Sequence, residues 1–292
     1  MTSLRPRHFG LRSTVLRYLG LTPFAAYVLL FLAVPTLIAL GTGFADDKGA
    51  FTLDNILVLA DPVILRAFGS SFWVSAVTAI AGALVGALVC FALLGLRADG
   101  GVRSFVDSVS SVLAQFGGVM LAFAFIAAIG TQGLVTVFLQ GLGVGIYDDG
   151  VWLYEVPGLL LPYFYFQVPL MVITFMPALE GLKSQWAEAN ATLGGTRLTY
   201  WTRIAVPVLA PAFLGSLLLL FANAFSSYAT AAALISQGAQ IVPLQIRGAL
   251  ISETVLGRAN VAGALAIGMI VVMVIVMWGY SALQTRTARW QL

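Results

Sequence analysis

Six stretches of the chain contain no Asp, Glu, Lys or Arg, and each is long enough to cross a lipid bilayer. They are residues 18–45, 67–96, 108–147, 156–179, 204–246 and 259–285 of a 292-residue sequence. A helix needs about 20 apolar residues to span a hydrocarbon core. Inside that core a backbone satisfies its own hydrogen bonds only as a helix or a closed barrel. Charged residues make up 9% of the chain and hydrophobic residues 60%, against about 25% charged in soluble domains. So little charge does not cover a globular surface. That excludes a soluble enzyme, a nucleic-acid binder and a disordered scaffold. The expected fold is all-α, a polytopic membrane protein with six transmembrane helices at about 21–44, 71–95, 109–130, 157–179, 212–236 and 261–283.

Two windows exceed one crossing. Leu134 to Tyr147 is short and carries Gly141, Gly143 and Gly145, so it reads as a helix or loop at the outer surface. In the fifth window Pro207, Pro211 and Pro243 bracket one helix rather than dividing two. With the N-terminus inside, the inner segments hold 11 basic residues, among them Arg5, Arg97, Arg103, Lys183, Arg197, Arg203 and Arg286. The outer segments hold four: Lys48, Arg66, Arg247 and Arg258. That bias places both termini in the cytoplasm and accounts for the net charge of +3 without a nucleic-acid partner. The basic start followed by an apolar run also fits a signal peptide, but the run exceeds a signal's 7–15 residues, so a retained first helix is expected. Cys90 and His8 are the sole cysteine and histidine. They leave no intrachain disulfide, metal cluster or Ser-His-Asp constellation.

The loop between the fourth and fifth spans, residues 180–207, is the longest inner loop and has helix-forming content. Ser184 is expected to cap a short helix from about Gln185 to Leu193. Gly194-Gly195 breaks it, and Thr196 caps a second piece with Leu198, Trp201 and Ala205 on one face. On amphipathicity alone this knob is no more than an interfacial linker.

The spacing says more. Glu188-Ala189, then Gly194, then nine residues, then Ile204-x-Val206-Pro207 resembles the EAA loop of ABC importer permeases, E-A-A-x3-G-x9-I-x-L-P. Asn190 stands for the second Ala and Val206 for Leu. The resemblance implies a coupling helix that docks on separate ABC ATPase subunits, with Glu188, Ala189, Gly194, Ile204 and Pro207 as its residues. Gly194 supplies an unrestricted φ, Glu188 suits a basic groove, and Pro207 is expected to end the knob before span five. It further implies a permease core over 65–285, preceded by a basic segment 1–20 and a first helix with its outer loop over 21–64, and followed by a tail 286–292. It implies a bacterial plasma (inner) membrane, an extracytoplasmic solute-binding protein, and a second permease subunit, more often a different one. The chain has no G-x-x-x-x-G-K-[ST] motif. No enzyme activity and no cofactor are therefore expected in this chain, with ATP and Mg on the partner.

Polar residues within spans face the bundle interior. In span five Ser216, Asn223, Ser226, Ser227 and Thr230 fall on one helical stripe ending near Tyr228, and in span four Tyr163, Gln167 and Thr174 share a face. Pro162 and Pro169 would free carbonyls for a wet cavity. These residues read either as a substrate path, with Gln167, Asn223, Ser226, Ser227, Tyr228 and Thr230 as candidates, or as glue between helices. Gly82 and Gly86 make a close-packing face. No span contains a charge, so the path offers neutral hydrogen bonds and aromatic faces. Stretches such as Tyr228–Leu234 and Val242–Ile246 look like the branch with polyamine, aminoethylphosphonate and ferric-iron permeases. A spermidine/putrescine-type solute is the leading expectation. An ion-coupled secondary transporter would need an ionisable relay or an inverted repeat, and an embedded enzyme would need a cluster that Cys90 alone does not supply.

Overall fold

The computed structural model describes residues 21–46, 48–97, 100–148, 150–235, 241–251 and 259–288, with backbone alone for 259 and 283–288. The basic segment 1–20, the last four residues, His8, Arg258 and the expected end of span five at Ser236 lie outside the described residues. Six helical runs are long and apolar enough to cross a membrane: Leu21–Thr42, Pro62–Leu94, Gly118–Gly141, Val156–Glu180, Arg197–Leu234 and Asn260–Ala282. The chain is an all-α, multi-pass membrane protein. Among the described residues the only β pairing is an isolated bridge between Ala45 and Phe51.

The helices are α1 (Leu21–Thr42), α2 (Asp54–Leu57), α3 (Pro62–Leu94), α4 (Gly101–Gln115), α5 (Gly118–Ile129), α6 (Leu134–Gly141), α7 (Leu160–Glu180), α8 (Ser184–Thr192), α9 (Arg197–Tyr200), α10 (Val206–Phe225), α11 (Ala229–Leu234), α12 (Val242–Ile251) and α13 (Ala259–Ala288). Helix α3 starts nine residues before the expected 71, because Asp61 caps it and Pro62 opens it. The Asp61 carboxylate accepts from the Val63 N–H at 2.7 Å, and a proline at the first position gives up an N–H that has no partner there anyway.

The third and fifth spans are not the single helices expected over 109–130 and 212–236. The expected third span is split, since α4 ends at Gln115 and α5 begins at Gly118. The run long enough to cross starts only at Gly118 and includes Leu134–Gly141, the segment expected at the outer surface. The fifth stops at Phe225 and resumes at Ala229. The polar stripe expected along span five is therefore cut at Ser226–Tyr228. Nor does Pro207 end the knob. The chain stays helical from Arg197 through Phe225, with a π-turn over Trp201–Ala205. Proline 207 has no N–H for the Arg203 carbonyl and its ring presses on it, and the wider turn just ahead absorbs the conflict. Helix α1 repeats the device, with a π-turn over Leu29–Ala33 two residues before Pro35. Pro162 is the third residue of α7 and follows directly on a 3-10 turn over Val156–Leu159.

Helices α3, α7 and α10 form the centre. Ala79, Ala83, Ala87 and Cys90 of α3 pack on Met171, Val172, Phe175 and Leu179 of α7 and on Leu209, Leu220 and Phe221 of α10. Small residues set the approach. A Cβ added to Gly82 would lie 2.5 Å from the Gln167 Cβ, and one on Gly86 would lie 2.5 Å from the Met171 Cβ. Helix α1 touches the bundle through α13, where Gly43 and Gly263 meet backbone to backbone. Its remaining apolar side chains, such as Leu30 and Phe31, are exposed, as lipid contact requires.

Gly86→Ala overpacks the α3–α7 contact and is expected to destabilise the protein by about 1–3 kcal/mol. Gly69→Ala, in the same helix with nothing within 4 Å, is expected to raise stability slightly, by about 0.5–1 kcal/mol. Thermal unfolding in detergent distinguishes the two; equal melting temperatures would contradict the close approach.

Candidate functional site

Two features stand at different levels of the bundle: a helical knob at one end and a polar cavity where two spans break. In the knob, α8 begins with Lys183 at the N-cap, in extended conformation and without a side-chain bond. Ser184 is thus the first helical residue and not the cap expected of it. Thr196 does cap α9, its Oγ1 accepting from the Thr199 N–H at 3.2 Å. Between them Gly194 sits at φ +78°, and no non-glycine residue among those described has positive φ. A side-chain β-carbon is disfavoured in that conformation.

Asn190 is the part of the knob that pattern matching passed over. Its carbonyl accepts from the Gly195 N–H at 2.8 Å, and its Nδ2 donates to the Thr196 carbonyl at 3.1 Å. The residue that departs from the E-A-A pattern thereby ties both sides of the bend. Glu188, Ala189 and Gly194 are exposed. So are two apolar side chains, Leu193 at 88% and Leu198 at 73%. Ile204 is half-buried and Pro207 exposed. The knob is anchored below by Ala205, fully buried, and by Trp201, whose ring meets Phe91 edge-on at 5.1 Å.

One ion pair joins the root of the knob to the rest. Arg103, near the start of α4 and 7% exposed, pairs with Glu180, the last residue of α7. It also lies 3.9 Å from Asp107. Helix α4 therefore starts level with the knob and runs antiparallel to α7. Its far end, Gln115, reaches the cavity beside Phe166.

That cavity, of about 300 Å³, lies between the two breaks and is lined by residues including Gln115, Gly117, Gly118, Asn223, Ser226 and Ser227. Phe116-Gly117-Gly118 makes the first break, with Gly118 at φ +73°. At the second break Ser226 Oγ bonds back to the Ala222 carbonyl at 2.9 Å, which favours ending the helix. The Tyr163 hydroxyl donates to the Ser227 carbonyl at 2.8 Å, taking an acceptor that an unbroken helix would offer to residue 231. The breaks are tied together directly: the Gly118 N–H donates to Thr230 Oγ1 at 3.0 Å.

The six expected path residues are divided by this geometry. Asn223 and Ser226 are exposed and Ser227 is half-buried, and all three line the cavity. Tyr228, 39% exposed, faces an adjoining cavity of about 450 Å³ that also includes Ser226 and Arg247. Gln167 and Thr230 are fully buried and line neither. Gln167 Nε2 donates to the Leu220 carbonyl at 3.1 Å, with Thr78 Oγ1 at 3.4 Å, so it binds α7 to α3 and α10. Gln115 and Gly118 join the site unanticipated; the sequence signal for them was a diglycine inside an apolar window.

No family model matches the chain. The probable ABC transporter permease protein y4fN of Sinorhizobium fredii is 27% identical over 216 residues, 74% of this chain and 37% of that protein. The chain thus spans little more than a third of that relative. The spermidine/putrescine transport system permease protein PotB of Escherichia coli K12 is 25% identical over 209 residues, 69% of this chain and 74% of the relative. The sulfate transport system permease protein CysT of Salmonella typhimurium LT2 is 25% identical over 178 residues, 59% of each. Among solved structures, a bacterial ABC transporter involved in the import of the acidic polysaccharide alginate superposes with TM-score 0.73 at 17% identity, covering 94% of this chain and 97% of that one. The MetNI methionine ABC transporter gives 0.58 at 13% identity, covering 77% and 96%. In fold and in relatives the chain matches the ABC importer permeases that its 188–207 spacing resembles.

Thr230→Val removes the acceptor of the Gly118 N–H and the one hydrogen bond that joins the two breaks directly, and is expected to lower stability by about 1–3 kcal/mol. Thr230→Ser is expected to restore most of it. A valine variant that melts with the wild type would show that the bond does not hold the breaks together.

Proposed function

We propose that this chain, whose relatives and fold are those of ABC importer permeases, is the transmembrane permease subunit of an ATP-driven, binding-protein-dependent importer of a small polar solute. The observation that carries the reading is the exposed knob. It combines the E-A-x4-G-x9-I-x-V-P spacing with a glycine held at φ +78° and two exposed leucines beside an exposed carboxylate. Apolar side chains at an exposed turn on a membrane protein suit a protein partner. Glu188 adds a charge for a basic groove on it.

On this reading the knob and both termini face the cytoplasm of a bacterial inner membrane. ATP and Mg are held by ABC ATPase subunits, and this chain performs no chemistry of its own. A second permease subunit, in a heterodimer, completes the path, and an extracytoplasmic solute-binding protein delivers to it. The cavity at the two breaks is the section of path contributed by this chain. Asn223, Ser226 and Ser227 offer neutral hydrogen bonds there, and Gln167 and Thr230 hold the helices that carry them. A secondary transporter would need an ionisable relay within the spans, and the sequence contains none. The spermidine/putrescine expectation is supported by the likeness to PotB, but the likeness to CysT is equal in identity, and no carboxylate of a described residue lines the cavity.

The test is co-expression with candidate ATPase subunits. The wild type is expected to co-purify with its partner, and Glu188→Lys is expected to weaken that association at least tenfold while the chain stays inserted. Unchanged association of the lysine variant would remove Glu188 from the docking surface. Failure of any ATPase to co-purify with the wild type would contradict the permease reading itself.

A further inference from the structure

Helix α4 carries one wall of the cavity at Gln115, while its other end stands at the root of the knob. Between Arg103 and Gln115 it rises about 18 Å at 1.5 Å per residue. Its packing on α7 includes Val106, set against the central apolar core. Apolar contact is not directional, so it holds two helices together without fixing how far one slides along the other. The ion pair supplies that register. Arg103 is the third residue of α4, where the positive end of the helix dipole repels a cation. Glu180 is the last residue of α7, where the negative end repels an anion. Because the helices run antiparallel, each charge lies beside the end of the other's helix that attracts it. The placement is favourable only while the two ends stay level. Burial sharpens the dependence. The Arg103 side chain is 9% exposed and that of Glu180 47%. Loss of Glu180 therefore strands a nearly buried guanidinium with Asp107, 3.9 Å away, as its other partner. Loss of Arg103 leaves two half-exposed carboxylates to water. From Glu180 only Gly181 and Leu182, the latter against the same core, lead to Lys183 at the cap of α8.

We infer that Arg103 and Glu180 are positioning residues for transport. Their pair fixes the register of α4 on α7, so that a displacement of the knob is passed to Gln115 and the Phe116–Gly118 break. Without it the displacement is lost as sliding between two apolar surfaces. The inference rests on the permease reading for the source of the displacement, while the register is a property of this chain alone.

The probe is the thiol of Gln115→Cys, labelled in membranes by a charged, water-soluble maleimide. In the chain alone, adding Glu180→Gln is expected to change the labelling rate by about threefold or more. Reversing the pair, Arg103→Glu with Glu180→Arg, puts each charge at the favourable end of its own helix and is expected to bring the rate back to within about twofold. Gly86→Ala, strained at a different contact, is expected to leave the rate unchanged, which separates register from mere loss of stability. In the complex with its ATPase subunit, Mg-ATP is expected to change the rate at residue 115 when the pair is intact. In Glu180→Gln the ATPase is expected to stay bound while that response is lost. A labelling rate in the chain alone that Glu180→Gln leaves unaltered would overturn the register. A nucleotide response that persists in Glu180→Gln would overturn the pair's part in coupling. Failure of any ATPase to co-purify contradicts the permease reading instead, and labelling of the chain alone still decides whether the pair sets the register.

Discussion

The hydrogen bond from the Gly118 N–H to Thr230 Oγ1 joins two helices that are both interrupted inside the bundle. In a bilayer an interrupted helix leaves backbone groups with no water to take them, at several kcal/mol each. Such a break persists only where protein or a wet cavity satisfies it. Here both remedies are present. Thr230 accepts one freed N–H, the Tyr163 hydroxyl takes the Ser227 carbonyl, and the remaining groups line a polar cavity. The cavity is therefore a consequence of the breaks, and the breaks hold because α5 and α11 are bonded to each other.

From that arrangement a mechanical route follows. Helix α4 spans the distance between cavity and knob: Gln115 lines the cavity, while Arg103 is paired with Glu180 beside the start of α8. Helix α10 makes the same journey on the other side, from the π-turn above the knob to Ser226. A displacement of the knob by a partner would move two rigid helices whose far ends carry cavity walls. The bend at Gly194 is tied on both sides by Asn190.

Much of the fold was legible in the residues. Charge-free windows located all six crossings, because desolvating a charge in lipid is so costly that its absence marks the span. The 188–207 spacing marked the knob through its resemblance to the EAA loop, and Gly194 at φ +78° fits the bend which that resemblance implies. The breaks were not legible. Ser226 and Ser227 fit a helical stripe as well as they fit a break, and which they form depends on Tyr163 and Gly118 arriving from elsewhere in the chain. Pro207 misled for a related reason. Proline forbids one hydrogen bond, but a π-turn lets the helix continue around the loss. Gln167 looked like a path residue because it is polar and mid-span. Its position against Gly82, set by close packing, instead turns it toward Thr78 and Leu220.

The claim on which the rest depends is that water reaches the site where the two spans break. The chain's one cysteine, Cys90, is fully buried, so an introduced thiol can be read against a quiet background. Asn223→Cys is expected to react with a charged, water-soluble maleimide in intact membranes. Phe31→Cys, on the exposed apolar face of α1, is expected to stay unlabelled until detergent is added. Labelling at 223 that likewise appears only after detergent would mean that the cavity is dry, and the two helix breaks would then be packing features and no part of a path.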